Sequence, residues 1–252
     1  MTDIIIQGIN GRMGRTLCEL IGQRRDCRVV GGVDITPQSG AVPGAASLEE
    51  LAIHADVLID FSSPAATQNA LRWCEKNGLP SVVCTTGLDQ ETIDLIRTVS
   101  RSVAVFKSAN MSLGINLLAQ LAQKAAAALG PGYDIEIIEK HHHNKVDAPS
   151  GTALLLADEI NRVAAEPYEY VYDRHTVRQP RGKRELGLHS VRGGSIVGDH
   201  EILFCGPDEV ITLSHSAGSR TVFANGAVNA AVFLAGKAPG LYTMKDLMNE
   251  LL

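Results

Sequence analysis

The sequence predicts an α/β protein: an N-terminal Rossmann-like, doubly wound parallel sheet with a second α+β domain. Three observations predict it. Short β-branched runs alternate with amphipathic stretches over the first 111 residues, the pattern of βαβ units that stack strands in parallel. From Ser112 the texture changes to one long Ala/Leu/Gln-rich helix and then to strand-like segments separated by glycine-containing turns. Glycine is plentiful, 24 of 252 residues, and falls at segment ends, where a chain turns sharply or approaches a ligand closely.

Ile4 to Gln7 is the first strand, followed by a glycine-rich turn and a helix through Leu17, Leu20 and Ile21. Arg28 to Val33 is the second, ending at Asp34, and the Pro/Gly/Ser-rich stretch from Thr36 to Ala46 reads as a loop. Asp56 to Phe61 is a short buried strand. Ser63 and Pro64 are an N-cap and first-turn pair opening a helix through Trp73, which Asn77-Gly78 closes. The unit repeats with a strand from Ser81 to Cys84, the turn Thr85-Thr86-Gly87, a helix from Asp89 to Val99 and a strand from Ser102 to Phe106. That makes five strands joined by right-handed crossovers.

The long helix runs from Ser112 to Leu129 and stops at Gly130-Pro131-Gly132. Asp134 to Glu139 alternates like a strand and Gly151 to Ala165 is helical. Glu185 to Ser216 reads as several antiparallel strands that turn at Gly193-Gly194 and Gly206-Pro207. Arg220 to Leu234 is helical again, and Thr243 with Asp246 three residues on marks a last short helix. The predicted organisation is a dinucleotide-binding domain at 1–111, a second domain at 112–219, and helices at 220–252 that return to the first.

With 45% hydrophobic and 20% charged residues the chain is not disordered. A formal net charge of −5, with no stretch that concentrates Lys or Arg, argues against a nucleic-acid partner. Cys18, Cys27, Cys74, Cys84 and Cys205 are odd in number and scattered without CxxC spacing, so they read as reduced thiols of a cytoplasmic protein. No basic leader precedes Ile4-Ile5-Ile6, and no apolar run reaches the roughly 18 residues of a membrane span, so neither export nor a membrane partner is expected.

Gly8-Ile9-Asn10-Gly11-Arg12-Met13-Gly14 sits where the first strand turns into a helix, so backbone N–H groups and a helix N-terminus can meet a pyrophosphate. The spacing is GxxGxxG, one residue longer than the usual fingerprint. Asp34 ends the second strand 20 residues past Gly14, the offset expected of a carboxylate on ribose hydroxyls. Asp34 suits NAD and repels a 2′-phosphate, while Arg12 can offset that repulsion, so NADH with tolerance for NADPH is expected. Phe61-Ser62-Ser63-Pro64, Cys84-Thr85-Thr86-Gly87 and Ser108-Ala109-Asn110-Met111 follow the third, fourth and fifth strands, on the edge where open parallel sheets bind ligands. Ser63 reads as a helix cap only, whereas the Thr-Thr-Gly turn can reach a nicotinamide carboxamide.

The densest polar segment runs from Glu139 through His141, His142, His143, Asn144, Lys145 and Asp147 to Ser150-Gly151-Thr152. Adjacent histidines on a strand point to opposite faces, and neither HExxH nor a cysteine pair accompanies them, so no metal is expected. A solvated charged loop is one reading. The other is a site for a carboxylated substrate that must be protonated, since His and Lys stand just before a helix N-terminus.

The GxxGRMG turn and the segment EKHHHNKVDAPSGTA, with Ser219-Arg220 and Phe223-Ala224-Asn225-Gly226-Ala227 near the end, resemble bacterial dihydrodipicolinate reductases over essentially the whole chain. The resemblance implies reduction of 4-hydroxy-tetrahydrodipicolinate to tetrahydrodipicolinate in diaminopimelate and lysine biosynthesis, with NADH or NADPH. It also implies that 112–219 binds substrate and builds a homotetramer. His141 would be the proton donor and Lys145 the second essential residue. His142, Lys145, Ser150, Gly151 and Thr152 would bind the two substrate carboxylates, with His143 accessory. Gly87, Asn110 and Met111 would be cofactor contacts, and Arg220 would reach cofactor or hinge. GxxGxxG is the family's own spacing. A non-catalytic, nucleotide-sensing Rossmann protein is the alternative in another class, and a zinc hydrolase built on the histidine run a third.

Overall fold

The computed structural model describes residues 1–37 and 42–251. In chain order the first elements are β1 (Thr2–Gln7), α1 (Arg12–Gly22), β2 (Cys27–Val33), β3 (Gly44–Ala45), β4 (Val57–Asp60), α2 (Pro64–Asn77), β5 (Ser81–Val83), α3 (Gln90–Val99), β6 (Ala104–Lys107) and α4 (Leu113–Leu129). After a 3-10 turn at Gly130–Gly132 come β7 (Asp134–His141), α5 (Gly151–Asn161), β8 (Glu169–Val171), β9 (Glu185–Arg192), β10 (Asp199–Cys205), β11 (Val210–Ser216), α6 (Thr221–Leu234), β12 (Gly240–Tyr242) and α7 (Met244–Leu251). The chain divides into two compact units, Met1–Leu113 with Thr221–Leu252, and Gly114–Arg220.

The first unit is a seven-stranded sheet in the order β12-β6-β5-β4-β1-β2-β3, every pair parallel. The order reverses between β1 and β4, which is the switch point of a doubly wound sheet. Both faces are covered, which is why its strands read as unbroken apolar runs. Ile4, Ile6, Ile59, Val82 and Phe106 pack with α1 and α6, while Ile5 and Leu58 face Ala70 and Cys74 of α2. α6 is lined with small residues, and a Cβ at Gly226 would lie 1.6 Å from the Met111 carbonyl oxygen, so the helix backbone passes directly over the segment after β6.

Two of the seven strands depart from the five expected. β3 lies inside the stretch read as a loop from Thr36 to Ala46, of which 38–41 fall outside the described residues, and β12 lies between the last two helices. Both are edge strands of two or three residues containing a glycine and following a proline, too short to show a period.

The second unit is a five-stranded mixed sheet in the order β11-β10-β7-β9-β8. Its inner face packs on α4 and α5 through Ile135, Ile137, Leu186, Leu188, Ile202 and Phe204. The expected antiparallel run holds for β10 with β11. β9 instead pairs parallel with β7, which separates it from β10, and β8, read as no strand at all, adds a parallel edge. Gly193-Gly194 is therefore not a hairpin turn. It docks on the end of β7, where Gly193 N–H donates to the His141 carbonyl at 2.9 Å and His143 N–H to the Gly194 carbonyl at 3.2 Å. α5 ends at Asn161 rather than Ala165.

Candidate active site

In the first unit the carboxyl ends of β1, β2 and β4 meet at the switch point. Gly8 has φ +81, and a Cβ there would lie 2.5 Å from the Phe61 carbonyl oxygen; at Gly14 it would lie 2.3 Å from the Gly8 carbonyl. Both positions need glycine, the first for conformation and space, the second for space alone. Gly11 is the N-cap of α1 and no side chain caps that first turn, so its N–H groups suit an anion. Asp34 accepts from the Asn10 N–H at 3.0 Å, which fixes the carboxylate against the glycine turn. Gly8, Gly11, Asp34 and Phe61 line one cavity of about 920 Å³ that runs on along α2 past Trp73. A glycine cradle, a helix N-terminus and a carboxylate over one cavity fit a dinucleotide.

Arg12 is exposed and Met13 packs partly against the core. Cys84 and Met111 have core side chains, and burial pushes the Cys84 thiol well above its ordinary range. Thr86 and Gly87 are exposed, Gly87 at φ +69. Ser108 donates to the Asn110 carbonyl at 2.8 Å, and Ala109 is exposed. Arg220 is exposed, one residue before α6.

Asp60 was not singled out in the sequence, yet it organises this edge. Its buried carboxylate accepts from Ser62 N–H at 3.1 Å, from the Ser62 hydroxyl, from Thr67 Oγ1 at 2.5 Å and from Thr85 Oγ1 at 3.0 Å. Burial pushes the Asp60 carboxyl up, against the opposing effect of those hydrogen bonds. Lys107 Nζ donates to the Thr85 carbonyl at 2.9 Å, and burial pulls the amine below its ordinary value.

In the second unit β7 runs two residues past Glu139, so Glu139 and His141 alternate onto the buried face with Ile135 and Ile137. Ser150 is the N-cap of α5 and accepts from Ala153 N–H at 3.1 Å. Its own N–H donates to Glu139 Oε1 at 3.1 Å, and its hydroxyl lies 3.1 Å from His200 Nε2. His141 Nδ1 lies 2.5 Å from Glu139 Oε2, and its ring meets that of His200 edge-on at 5.2 Å. Lys145 Nζ pairs with Asp147 Oδ1 at 2.8 Å, and that pair, with smaller effects of the Asp147 N–H and last the Gly151 N–H, holds the Asp147 carboxyl below its ordinary range against burial. Arg192 joins the two clusters, donating to both Glu139 oxygens and, at 2.6 Å, to the Asp147 carbonyl.

Of the residues expected here, His141, Ser150, Gly151 and Lys145 thus belong to one connected network. His142 is partly buried with Nδ1 lacking a hydrogen-bond partner, Thr152 is half-buried beside Gly151, and His143 is exposed. Glu139, Arg192 and His200 complete the network and carried no role in the sequence reading. Among the described residues no group of three or more His, Cys, Asp or Glu is arranged to hold a metal ion.

A family model described as "Dihydrodipicolinate reductase, N-terminus" matches residues 2–111, and one described as "Dihydrodipicolinate reductase, C-terminus" matches 114–248. The 4-hydroxy-tetrahydrodipicolinate reductase of Caldanaerobacter subterraneus subsp. tengcongensis is 49% identical over 250 residues, 99% of each chain. That of Clostridium tetani is 43% identical over 251 residues, 99% of this chain and 98% of its own. The solved structure of a dipicolinate-bound dihydrodipicolinate reductase from Paenisporosarcina sp. TG-14 superposes with a TM-score of 0.81 at 27% identity, over 96% of this chain and 97% of its own. As the glycine turn and the histidine-rich segment implied, the chain belongs to the dihydrodipicolinate reductase family.

Proposed function

We propose that this chain reduces 4-hydroxy-tetrahydrodipicolinate to tetrahydrodipicolinate in the cytoplasmic route to diaminopimelate and lysine, with NADH or NADPH. One observation carries the substrate reading. A carboxylate of the chain's own, that of Asp147, pairs with Lys145 Nζ at 2.8 Å and draws more weakly on the Gly151 N–H, which supports a carboxylate site at that corner. A substrate carboxylate would take the same two groups, with Ser150 and Thr152 at the start of α5 and His142 beside them.

When bound, the reduced nicotinamide supplies the hydride that reaches C4 of the ring. Before that transfer the 4-hydroxyl and one hydrogen of a neighbouring ring carbon leave together as water, which makes C4 open to hydride; after it one proton quenches the enamine-like charge, so the conversion takes up one hydride and one proton and releases one water. His141 delivers that proton, and Lys145 holds the adjoining carboxylate. Gly8, Gly11 and Gly14 let the backbone approach the pyrophosphate, and Asp34 takes the ribose hydroxyls, with Arg12 placed to offset a 2′-phosphate. Met13, Phe61, Thr85, Thr86, Gly87, Ser108, Ala109, Asn110 and Arg220 complete the nucleotide set, with Cys84 and Met111 contributing through their backbone. Association into a homotetramer belongs to the same reading, with the second unit as its builder.

The test is spectrophotometric. Aspartate semialdehyde, pyruvate and the condensing synthase are mixed with the protein and either nucleotide, and absorbance of the reduced nicotinamide should fall. No oxidation of NADH or of NADPH defeats the proposal. His141→Gln and Lys145→Ala should lower turnover by at least about a hundredfold while nucleotide affinity stays near wild type.

A further inference from the structure

Glu139 is fully buried, two residues before His141 on the same strand face. An ionised carboxylate in such a place must have each oxygen satisfied. Oε1 accepts from Arg192 Nη2 at 2.7 Å and from Ser150 N–H at 3.1 Å. Oε2 accepts from Arg192 Nη1 at 2.8 Å and meets His141 Nδ1 at 2.5 Å. Arg192 is itself held, donating to the Val191 carbonyl at 2.8 Å and to the Asp147 carbonyl. Burial alone would raise the Glu139 carboxyl, but Arg192, Ser190 and His141 outweigh it and hold it at about 2. Glu139 is therefore an acceptor at both oxygens, and the atom of His141 that faces it must carry a hydrogen.

The other ring nitrogen has a different neighbourhood. A Cβ at Gly198 would lie 3.0 Å from His141 Nε2, and Gly198 does not adopt the left-handed backbone that would require glycine for its own sake. Space beside Nε2 is what the glycine provides. The nearest ring, His200, is pushed down to about 4 by burial and then by the charge of His141, so at neutral pH it packs as a neutral neighbour.

We infer that Glu139, clamped by Arg192, is the positioning residue of the reaction: it holds a hydrogen on His141 Nδ1 throughout, so the proton that the ring takes up from solvent, and then gives to substrate from its doubly protonated form, is the one on Nε2. The inference rests on His141 as donor, which Proposed function supplies. It is the logic of an acid that orients a histidine without itself exchanging protons. A merely structural Glu139–Arg192 pair would leave the histidine's tautomer unspecified.

The experiment separates the two claims. His141→Gln is assayed first, and wild-type turnover there would sink the donor reading, whatever Glu139 does. With that activity lost, Glu139→Gln, which can offer His141 an amide donor in place of an acceptor, should lower kcat at least about tenfold. KM for NADH and inhibition by dipicolinate should stay within about twofold of wild type, because only the proton-transfer step is affected. Glu139→Asp keeps the charge and should recover part of the loss. A folded Glu139→Gln enzyme with wild-type kcat overturns the inference. Should that variant fail to fold, 15N NMR of ring-labelled wild-type enzyme decides: neutral His141 carries its hydrogen on Nδ1, and a hydrogen on Nε2 overturns the inference equally.

Discussion

At the scale of single residues, two buried groups of the second unit make acid stability separable into windows. The fold holds His200 neutral, pushing it from 6.5 to about 4 through burial and then the charge of His141. Because the folded protein disfavours its protonation, that contribution is whole above pH 6.5 and drains away as pH falls toward 4, with a size on the order of 3 kcal/mol. Glu139 acts lower. Its carboxyl is held at about 2 despite burial, so its contribution is whole above 4.5 and lost as pH falls from there toward 2. His200→Gln should therefore flatten the change of apparent Tm between pH 6.5 and 4 by several degrees relative to wild type, while the steeper loss below 4.5 remains. A Tm difference between the two proteins that does not vary over the upper window would contradict the burial argument. His141, Lys145, Ser150 and Gly151 were legible from the sequence because they stand within eleven positions of one another. Glu139 was visible there but without a task, since the task depends on Arg192, 53 residues on, which reaches it only through the pairing of β7 with β9. Asp60 was read only as one residue of the strand from Asp56 to Phe61 for the same reason, its donors Thr67 and Thr85 lying on other elements.

At the scale of elements, the first turn of α5 does more than start a helix. Ser150 caps Ala153 N–H, its own N–H reaches Glu139, and its hydroxyl meets His200, so one residue ties the helix start to β7 and β10. Ser150→Ala should cost about 1 kcal/mol from the cap alone, seen as a lower apparent Tm. It should also weaken dipicolinate binding measured by calorimetry, since in the proposed function the same turn would present Gly151 and Thr152 to a substrate carboxylate. Unchanged dipicolinate affinity in a less stable variant would reduce Ser150 to a cap. This helix start was readable because Ser-Gly-Thr before an apolar run is a local signal. The same holds for Ser63 and Asp89, each of which accepts from the first turn of its helix. Strand pairing was not readable in this way. β7 and β10 alternate buried with half-buried side chains, which betrays a sheet packed more deeply on one face but not its neighbours. The parallel insertion of β9 beside β7 needs a long return through α5 and β8 that no hairpin signal announces.

At the scale of the molecule, the chain leaves its first unit at Leu113 and comes back to it at Thr221. The returning segment completes the core. Val228, Leu234, Met244 and Leu247 are buried in one cluster with Ile4, Ile6 and Phe106, and Ala224, Ala227, Ala230 and Ala231 are fully buried with them. At about 1.5–3 kcal/mol for each of the four larger side chains, the tail contributes as much as the roughly 5–15 kcal/mol that stabilises a domain. The helices could be found from their period and caps, but their return to the first sheet rests on this packing, which composition does not encode. The second unit, by contrast, fills its core from α4, α5 and its own sheet, with no residue of the tail in that cluster among the described residues. A chain ending at Arg220 should therefore lose NADH binding and amide-exchange protection throughout β1 to β6, while β7, β9, β10 and α5 keep theirs. Fluorescence titration with NADH and exchange mass spectrometry on the truncated chain measure both halves of that statement. Wild-type NADH affinity without α6 would show the first sheet stable with one face bare, contrary to the burial seen for Ile4, Ile6 and Phe106.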